Sequence, residues 1–425
     1  LASAIINLVL LVLTVVALLA GIFSGPLVAR VIAPGFSPAQ QALTAELLRG
    51  LLISTVIFGV SGIVMGILNS YQHFFAPALA PAVYNLGIIL GAWFLAPHHG
   101  ARGLVVGAVS GSAWHLLVQL PALLNRRPRY FPTLGLRQPD VREVARLMGP
   151  RVLGLAIVQL NFLINTILAS GLIAGSLSAL NYGWLLMLLP QGVVAQGIAT
   201  AAFPTFSALM AAEKRAEMRS TFSATLRAIL FLSIPASVGL FVLRVPLIRA
   251  LLERGEFDST STSAVATALA FYSWGLVGHS VVEIAARAFY ALHNTLTPVL
   301  VGVGAMALNI LLSLLLRGSM GFAGLALANT VATSLEMIVM LWLLARRLGG
   351  LEGRRVASAV MRSLLVSAIM APALGGLLAG WPVAQPWRLC IGGMALGGIF
   401  YLLGMWLLQA EELRSLMGMI RGRRG

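Results

Sequence analysis

Charge is scarce in this chain. Only 10% of its residues are charged and 59% are hydrophobic, whereas a soluble domain averages about 25% charged residues. With a mean hydropathy of +0.93, a soluble globular fold is excluded. Lysine is nearly absent: Lys214 stands alone, and the formal charge of +16 comes from arginine. Such a surplus ordinarily suggests nucleic acid, but that requires a basic patch on a soluble domain. Here the arginines sit in short loops between apolar runs, so a nucleic-acid partner is not expected. The single cysteine, Cys390, excludes an intramolecular disulfide. A nucleophile–base pair, a phosphate-binding glycine loop and zinc-ligand spacing are all missing. His98-His99 has no metal-ligand partner at useful spacing, and His73, His115, His279 and His293 are scattered. Neither enzymatic activity, nor a cofactor, nor a metal is expected.

Long apolar runs are what the chain does have. About 20 apolar residues span a bilayer core as a helix. Twelve such runs occur, near 3–23, 47–69, 78–96, 103–124, 147–171, 177–206, 222–243, 264–290, 296–316, 321–345, 357–379 and 387–409. The fold class is therefore all-α integral membrane, with about 12 transmembrane helices. The run 177–206 predicts one helix that continues past Pro190 with a kink.

Arginine sets the orientation. Loops 125–151, 211–227 and 346–362, the tail, and Arg287 hold 21 of the 29 basic residues, and the alternate loops and helix ends hold eight. This alternation predicts that both ends of the chain are cytoplasmic.

An internal repeat follows. Phe36 matches Phe257, Pro77 matches Pro298, Gly103 matches Gly324 and Arg126 matches Arg347, each pair 221 positions apart. The copies share one topology, as in two-lobed transporters. The expected division is a first lobe of four helices at 1–126, a basic cytoplasmic linker at 127–146, a six-helix second lobe at 147–348, and a C-terminal helix pair with a basic tail at 349–425. Equal copies would place two further helices before Leu1.

Polar side chains inside these runs mark candidate sites, because an unpartnered amide in hydrocarbon is costly. The stretch Gly149–Ser207 is richest, with Gln159, Asn161, Asn165, Asn181, Gln191 and Gln196 around a Gly175-Ser176 turn. It reads as the wall of a transport cavity. Glu283 and Arg287, spaced i, i+4, pair as a structural ion pair or as a charged cavity rim. Glu336, at the repeat position of His115, is a second intramembrane carboxylate. Asn165, Asn309, Ser313 and Asn329 offer oxygens either to a coupling cation or to ordinary interhelical hydrogen bonds. Gly62-xxx-Gly66, Gly103-xxx-Gly107-xxx-Gly111 and Gly393-xxx-Gly397 suit close helix packing.

Four motifs carry a family resemblance: GPRVLGLAIVQLNFLINTILAS, LNYGWLLMLLPQGVVAQGIATAAFPTFS, ARAFYALHNTLTPV and NSYQHFFAPALAPAVYN. The chain resembles, over nearly its whole length, the MurJ/MviN group of lipid II flippases within the multidrug/oligosaccharidyl-lipid/polysaccharide exporter superfamily. The resemblance implies fourteen helices in the family: two six-helix lobes and a C-terminal pair that helps form a groove for a lipid tail. It implies a bacterial cytoplasmic-membrane protein that takes a polyprenyl-diphosphate-linked cell-wall precursor into a cationic cavity and turns it outward by alternating access. Membrane lipids are implied partners, and cell-wall synthesis proteins are possible ones. Asn161, Asn181, Tyr182, Leu185, Gln191, Glu283 and Arg287 are then the substrate-cavity candidates. Many relatives carry W-R-L where this chain has Trp184-Leu185, so Leu185 stands in place of a phosphate-binding arginine. Some members hold sodium through carboxylates at the positions of Asn165 and Ser313, with an amide at Asn309; the carboxylates are absent here.

Two other readings stay open beside the flippase: a cation-coupled exporter of small amphipathic compounds, and a transport-silent scaffold relative.

Overall fold

A computed structural model of the chain describes residues 1–125, 130–380 and 386–414, apart from the side chains of residues 147, 149–151, 153–155, 157–158 and 377–379. The basic positions Arg126, Arg127, Arg129, Arg421, Arg423 and Arg424 fall outside them. Every regular element among the described residues is helical. Eleven helices there are long and apolar enough to cross a membrane. The twelfth expected run, 147–171, falls on a helix at Pro139–Ser170, many of whose side chains lie outside the described set.

The chain divides into two compact units, Leu1–Ile167 and Leu168–Gly425. In the first, α1 (Ala2–Ile22) packs on α2 (Pro38–Ser70). Next come α3 (Phe75–Leu90), which runs on through a π-helical turn to His99, and α4 (Ala101–Leu117). α5 (Pro139–Ser170) closes the unit. Its preceding loop is tied to α1, because the Asn7 amide donates to the carbonyls of Phe131 and Thr133 at 3.1 and 2.9 Å. α3 and α4 meet backbone to backbone. A Cβ placed on Gly87 would lie 2.4 Å from the Cα of Gly111, and one on Gly91 2.6 Å from the Cα of Gly107. Gly62 and Gly66, expected to pack closely as well, have open space around them. Small-residue spacing records only that one face is narrow. It does not say that a neighbour fills it.

The second unit begins with α6 (Ser176–Gln191), a π-helical turn at Gly192–Gln196, and α7 (Gly197–Ala211). These three pieces form one continuous span. Pro190 has no N–H to give the helix, and the widened turn that follows absorbs the fault. α8 (Arg215–Leu251), α9 (Ser259–Ala291), α10 (Leu296–Met320) and α11 (Phe322–Leu348) complete the bundle. α9 is its axle, packed on α6, α8 and α11. Phe206, Met218, Phe222, Ile284, Phe289 and Leu344 form a core without exposure. α12 (Gly353–Gly380) and α13 (Pro386–Leu407) are the appended pair. They dock on α8, and Tyr401 donates its hydroxyl hydrogen to the carbonyl of Phe231, 2.7 Å away.

The repeat is obeyed to the residue. α2 and α9 begin and end 221 positions apart, and the span Phe75–His99 answers Leu296–Met320 at both ends. The caps repeat too: Ser37 accepts from the N–H of Gln40, and Asp258 accepts from the N–H of Ser261. The left-handed turn residues Gly100 and Gly321 also correspond, with φ of 56° and 58°. Only glycine adopts that region without a Cβ penalty. Two pseudo-symmetric helical lobes with a C-terminal pair are thus the architecture.

Candidate functional site

α6 has two distinct faces. Gly183, Leu186 and Met187 are buried, and a Cβ on Gly183 would meet Ala268 at 3.1 Å and the Leu269 nitrogen at 3.2 Å. That closeness seats α6 on α9. Asn181, Tyr182, Leu185 and Leu189, at helical spacing on the other side, are exposed. Tyr182 is 39% and Leu185 55% exposed, and the Tyr182 ring meets Phe257 edge-on at 5.7 Å. Gln191 lies instead on the closed side, 6% exposed, with its Oε1 buried and unpartnered.

The open face of α6 leads to an apolar groove within the second unit. Leu189 and Pro190 of α6, Pro235 and Leu240 of α8, Met370 of α12 and Gly398 of α13 line a space of about 470 Å³. Its walls are aliphatic because α8, α12 and α13 each carry a helical stripe of Leu, Met or Gly at that level.

Lower on α9, the Arg287 guanidinium pairs with the Glu283 carboxylate one turn away, and its second nitrogen reaches the Thr200 hydroxyl of α7 at 3.2 Å. Both charged side chains are half-buried. Sequence reasoning found the i, i+4 pair, but Thr200 had no signal, since it lies 87 residues away.

The cation candidates divide differently. On α5, in the first unit, the Asn165 amide donates to the Asn161 oxygen at 3.3 Å. In the second unit Asn309 and Ser313, both buried, are 3.4 Å apart on α10. The Asn329 oxygen of α11 accepts from His279 Nε2 at 3.2 Å, and Thr333 lies 3.4 Å from the same nitrogen. Trp184 closes this histidine edge-on at 5.1 Å. All four candidate side chains are neutral, and the Asn329 oxygen is already engaged by an imidazole. The His279–Asn329–Trp184 cluster was missed because its members come from three separate helices. No cluster of three metal-binding side chains occurs among the described residues.

Two like-wound helical lobes, half-buried charges within membrane-length helices and a groove of aliphatic walls mark a multi-pass membrane transporter. The lipid II flippase MurJ family model matches residues 1–385. A probable lipid II flippase MurJ of Vibrio cholerae is 32% identical over 363 residues, covering 82% of this chain and 68% of the relative. The Burkholderia cenocepacia lipid II flippase MurJ is 31% identical over 337 residues, covering 77% and 65%. The chain therefore spans about two thirds of the length of such relatives. Among solved structures, an inward closed conformation of lipid II flippase MurJ superposes with a TM-score of 0.83 at 24% identity, over 98% of this chain and 84% of that one. An inward-facing multidrug resistance MATE family transporter of the MOP superfamily shares the fold more distantly, with a TM-score of 0.69 at 16% identity over 81% and 80%. The chain belongs to the lipid II flippase MurJ family. It is a multi-pass protein of the inner membrane.

Proposed function

We propose that this chain carries lipid II across the cytoplasmic membrane by alternating access of its two lobes. One observation carries the reading furthest: the open polar face of α6 continues, through Leu189, into the aliphatic groove under α12 and α13. A cargo with a polar head and a long hydrocarbon tail needs both surfaces side by side. In this reading Asn161, Asn181 and Tyr182 face the head group. Arg287, held by Glu283, offers guanidinium hydrogens to a diphosphate, and the groove takes the tail. Leu185 contributes no charge, which leaves Arg287 to supply it in this lobe. The lobes are assigned to 1–126 and 147–348, joined by the linker 127–146, with the pair and tail at 349–425. Both chain ends are cytoplasmic, supported by the arginine bias of alternate loops; reporter fusions at each end test this.

The functional test is translocation of a fluorescent lipid II analogue in proteoliposomes. Gly398→Trp places an indole in the groove from a position where a Cβ meets nothing within 4 Å, and unchanged thermal unfolding of the variant checks that the fold is kept. Translocation by the unaltered protein and at least tenfold loss in the variant are expected. Full activity in the variant removes the groove from the path, and no translocation by the unaltered protein overturns the function.

A further inference from the structure

The unit Leu1–Ile167 holds a polar cluster that the proposed path does not use. His115 of α4 is 6% exposed, and Ser61 of α2 and Gln119 are fully enclosed. The Gln119 amide donates to the His115 carbonyl at 2.8 Å and to Ser61 Oγ at 2.9 Å. Both amide hydrogens are then used. Ser61 Oγ lies 2.7 Å and the Gln119 amide nitrogen 3.3 Å from His115 Nδ1; when the ring carries its proton on Nε2, Nδ1 accepts the serine hydrogen. Gln119 Oε1 is buried without a partner. In that tautomer the cluster holds one acceptor more than it has donors, and an added proton corrects that count.

Among the described residues, no charged side chain bonds to the cluster. On α2, Glu46 and Arg49 are at least 12 residues from Ser61, about 18 Å along the helix, and Glu46 is paired with Arg102 near the start of α4. His98 and His99 lie beyond that same far end of α4. The following helix, Leu120–Leu124, has no titratable residue. α3 contributes Tyr84, whose ring meets Phe58 at 4.8 Å, while Phe58 meets the His115 ring at 5.1 Å. At the same register of the second copy stands Glu336, again an ionisable residue inside the membrane. Its carboxylate lies 3.6 Å from where a Cβ on Gly302 would be.

We infer that His115 is a proton-binding site that links proton uptake to movement of α2 against α4. A proton from water adds to the Nδ1 lone pair and gives an imidazolium. Nδ1–H then donates to Ser61 Oγ. The serine hydrogen turns to Gln119 Oε1 or to the carbonyl one turn back on α2, and deprotonation reverses each step. The glycine-to-glycine contact of α3 and α4 has no slack, so the change falls on α2. The site itself stands on this geometry, and its coupling to transport rests on the function proposed above.

The test takes the full chain in nanodiscs with 15N-labelled histidine. The signal lost in His115→Gln is assigned to His115, and it is expected to titrate, with its midpoint displaced in Ser61→Ala. In proteoliposomes, lipid II translocation is expected to change at least threefold with an imposed pH gradient, and His115→Gln is expected to abolish that dependence. A His115 signal that does not titrate overturns the site. Titration together with an unchanged gradient dependence in His115→Gln overturns the coupling. Absence of translocation at every gradient overturns the transport reading, and the titration then decides the site alone.

Discussion

Adding one methyl group at Gly87 tests the tightest contact in the first unit. A Cβ there lies 2.4 Å from the Gly111 Cα and 2.8 Å from the Gly111 nitrogen. Carbon atoms rest about 3.5–4.0 Å apart, so α3 and α4 must separate by roughly 1 Å. No rotamer change relieves backbone against backbone, which puts the cost near the upper end of overpacking, about 3 kcal/mol. Replacing glycine in a helix returns about 1 kcal/mol, leaving a net loss of about 2 kcal/mol. Gly62→Ala is the control. Its new methyl meets nothing within 4 Å, so only the gain of about 1 kcal/mol remains. Denaturant unfolding of the detergent-solubilised protein, followed by tryptophan fluorescence, should separate the two variants by about 3 kcal/mol with opposite signs relative to the parent. Equal stability of the two variants would refute the packing argument.

Other outcomes follow from the second unit. Leu185→Arg adds a guanidinium to the open face of α6 and is expected to tighten lipid II binding in nanodiscs; unchanged affinity places Leu185 outside the head-group path. Arg287→Gln removes a charge-assisted contact worth roughly 1.5–3 kcal/mol, so affinity should fall at least tenfold, with the effect screened little by salt. Tyr401→Phe deletes the bonds to the Phe231 carbonyl and to Ser363, and is expected to cost roughly 1–2 kcal/mol and to loosen α12 and α13, read as faster proteolysis of that pair. The Asp258 carboxylate accepts the Ser261 N–H, which holds it below its ordinary pKa. Its stabilising effect is whole above the ordinary carboxylate range and is lost as pH falls through the depressed value. Asp258→Asn should therefore flatten the acid limb of thermal stability, with its small loss confined to pH above the depressed value.

Register was the most legible property of the sequence, because apolar length and a constant offset of 221 constrain where every helix and turn must fall. Ser37 and Asp258 cap two helix starts at that same offset. The i, i+4 pair Glu283–Arg287 was equally visible. What stayed hidden depends on partners distant in sequence. Ser61 meets His115 across 54 residues, and nothing local marks either as half of a pair. Gly103, Gly107 and Gly111 show a spacing, but only the backbone of Gly87 and Gly91 opposite turns it into contact, and Gly62 and Gly66 carry the same spacing with no neighbour. The faces of α6 were also unreadable, since Asn181 and Gln191 are alike in polarity and part company only once Gly183 seats the helix on α9.

The shared boundaries of α2 and α9, and of the spans that follow them, have a practical consequence. The two copies differ by substitution without a length change across three helices, so each residue has a built-in counterpart at the same register of its own copy. Phe58 stands opposite His279, Ser54 opposite Gly275 and His115 opposite Glu336. A single protein thus carries its own matched comparison: exchanging a residue with its counterpart alters the chemistry at a known register while the helix frame is held constant. Symmetry here belongs to the scaffold, and the direction of transport has to be sought in the pairs that break it.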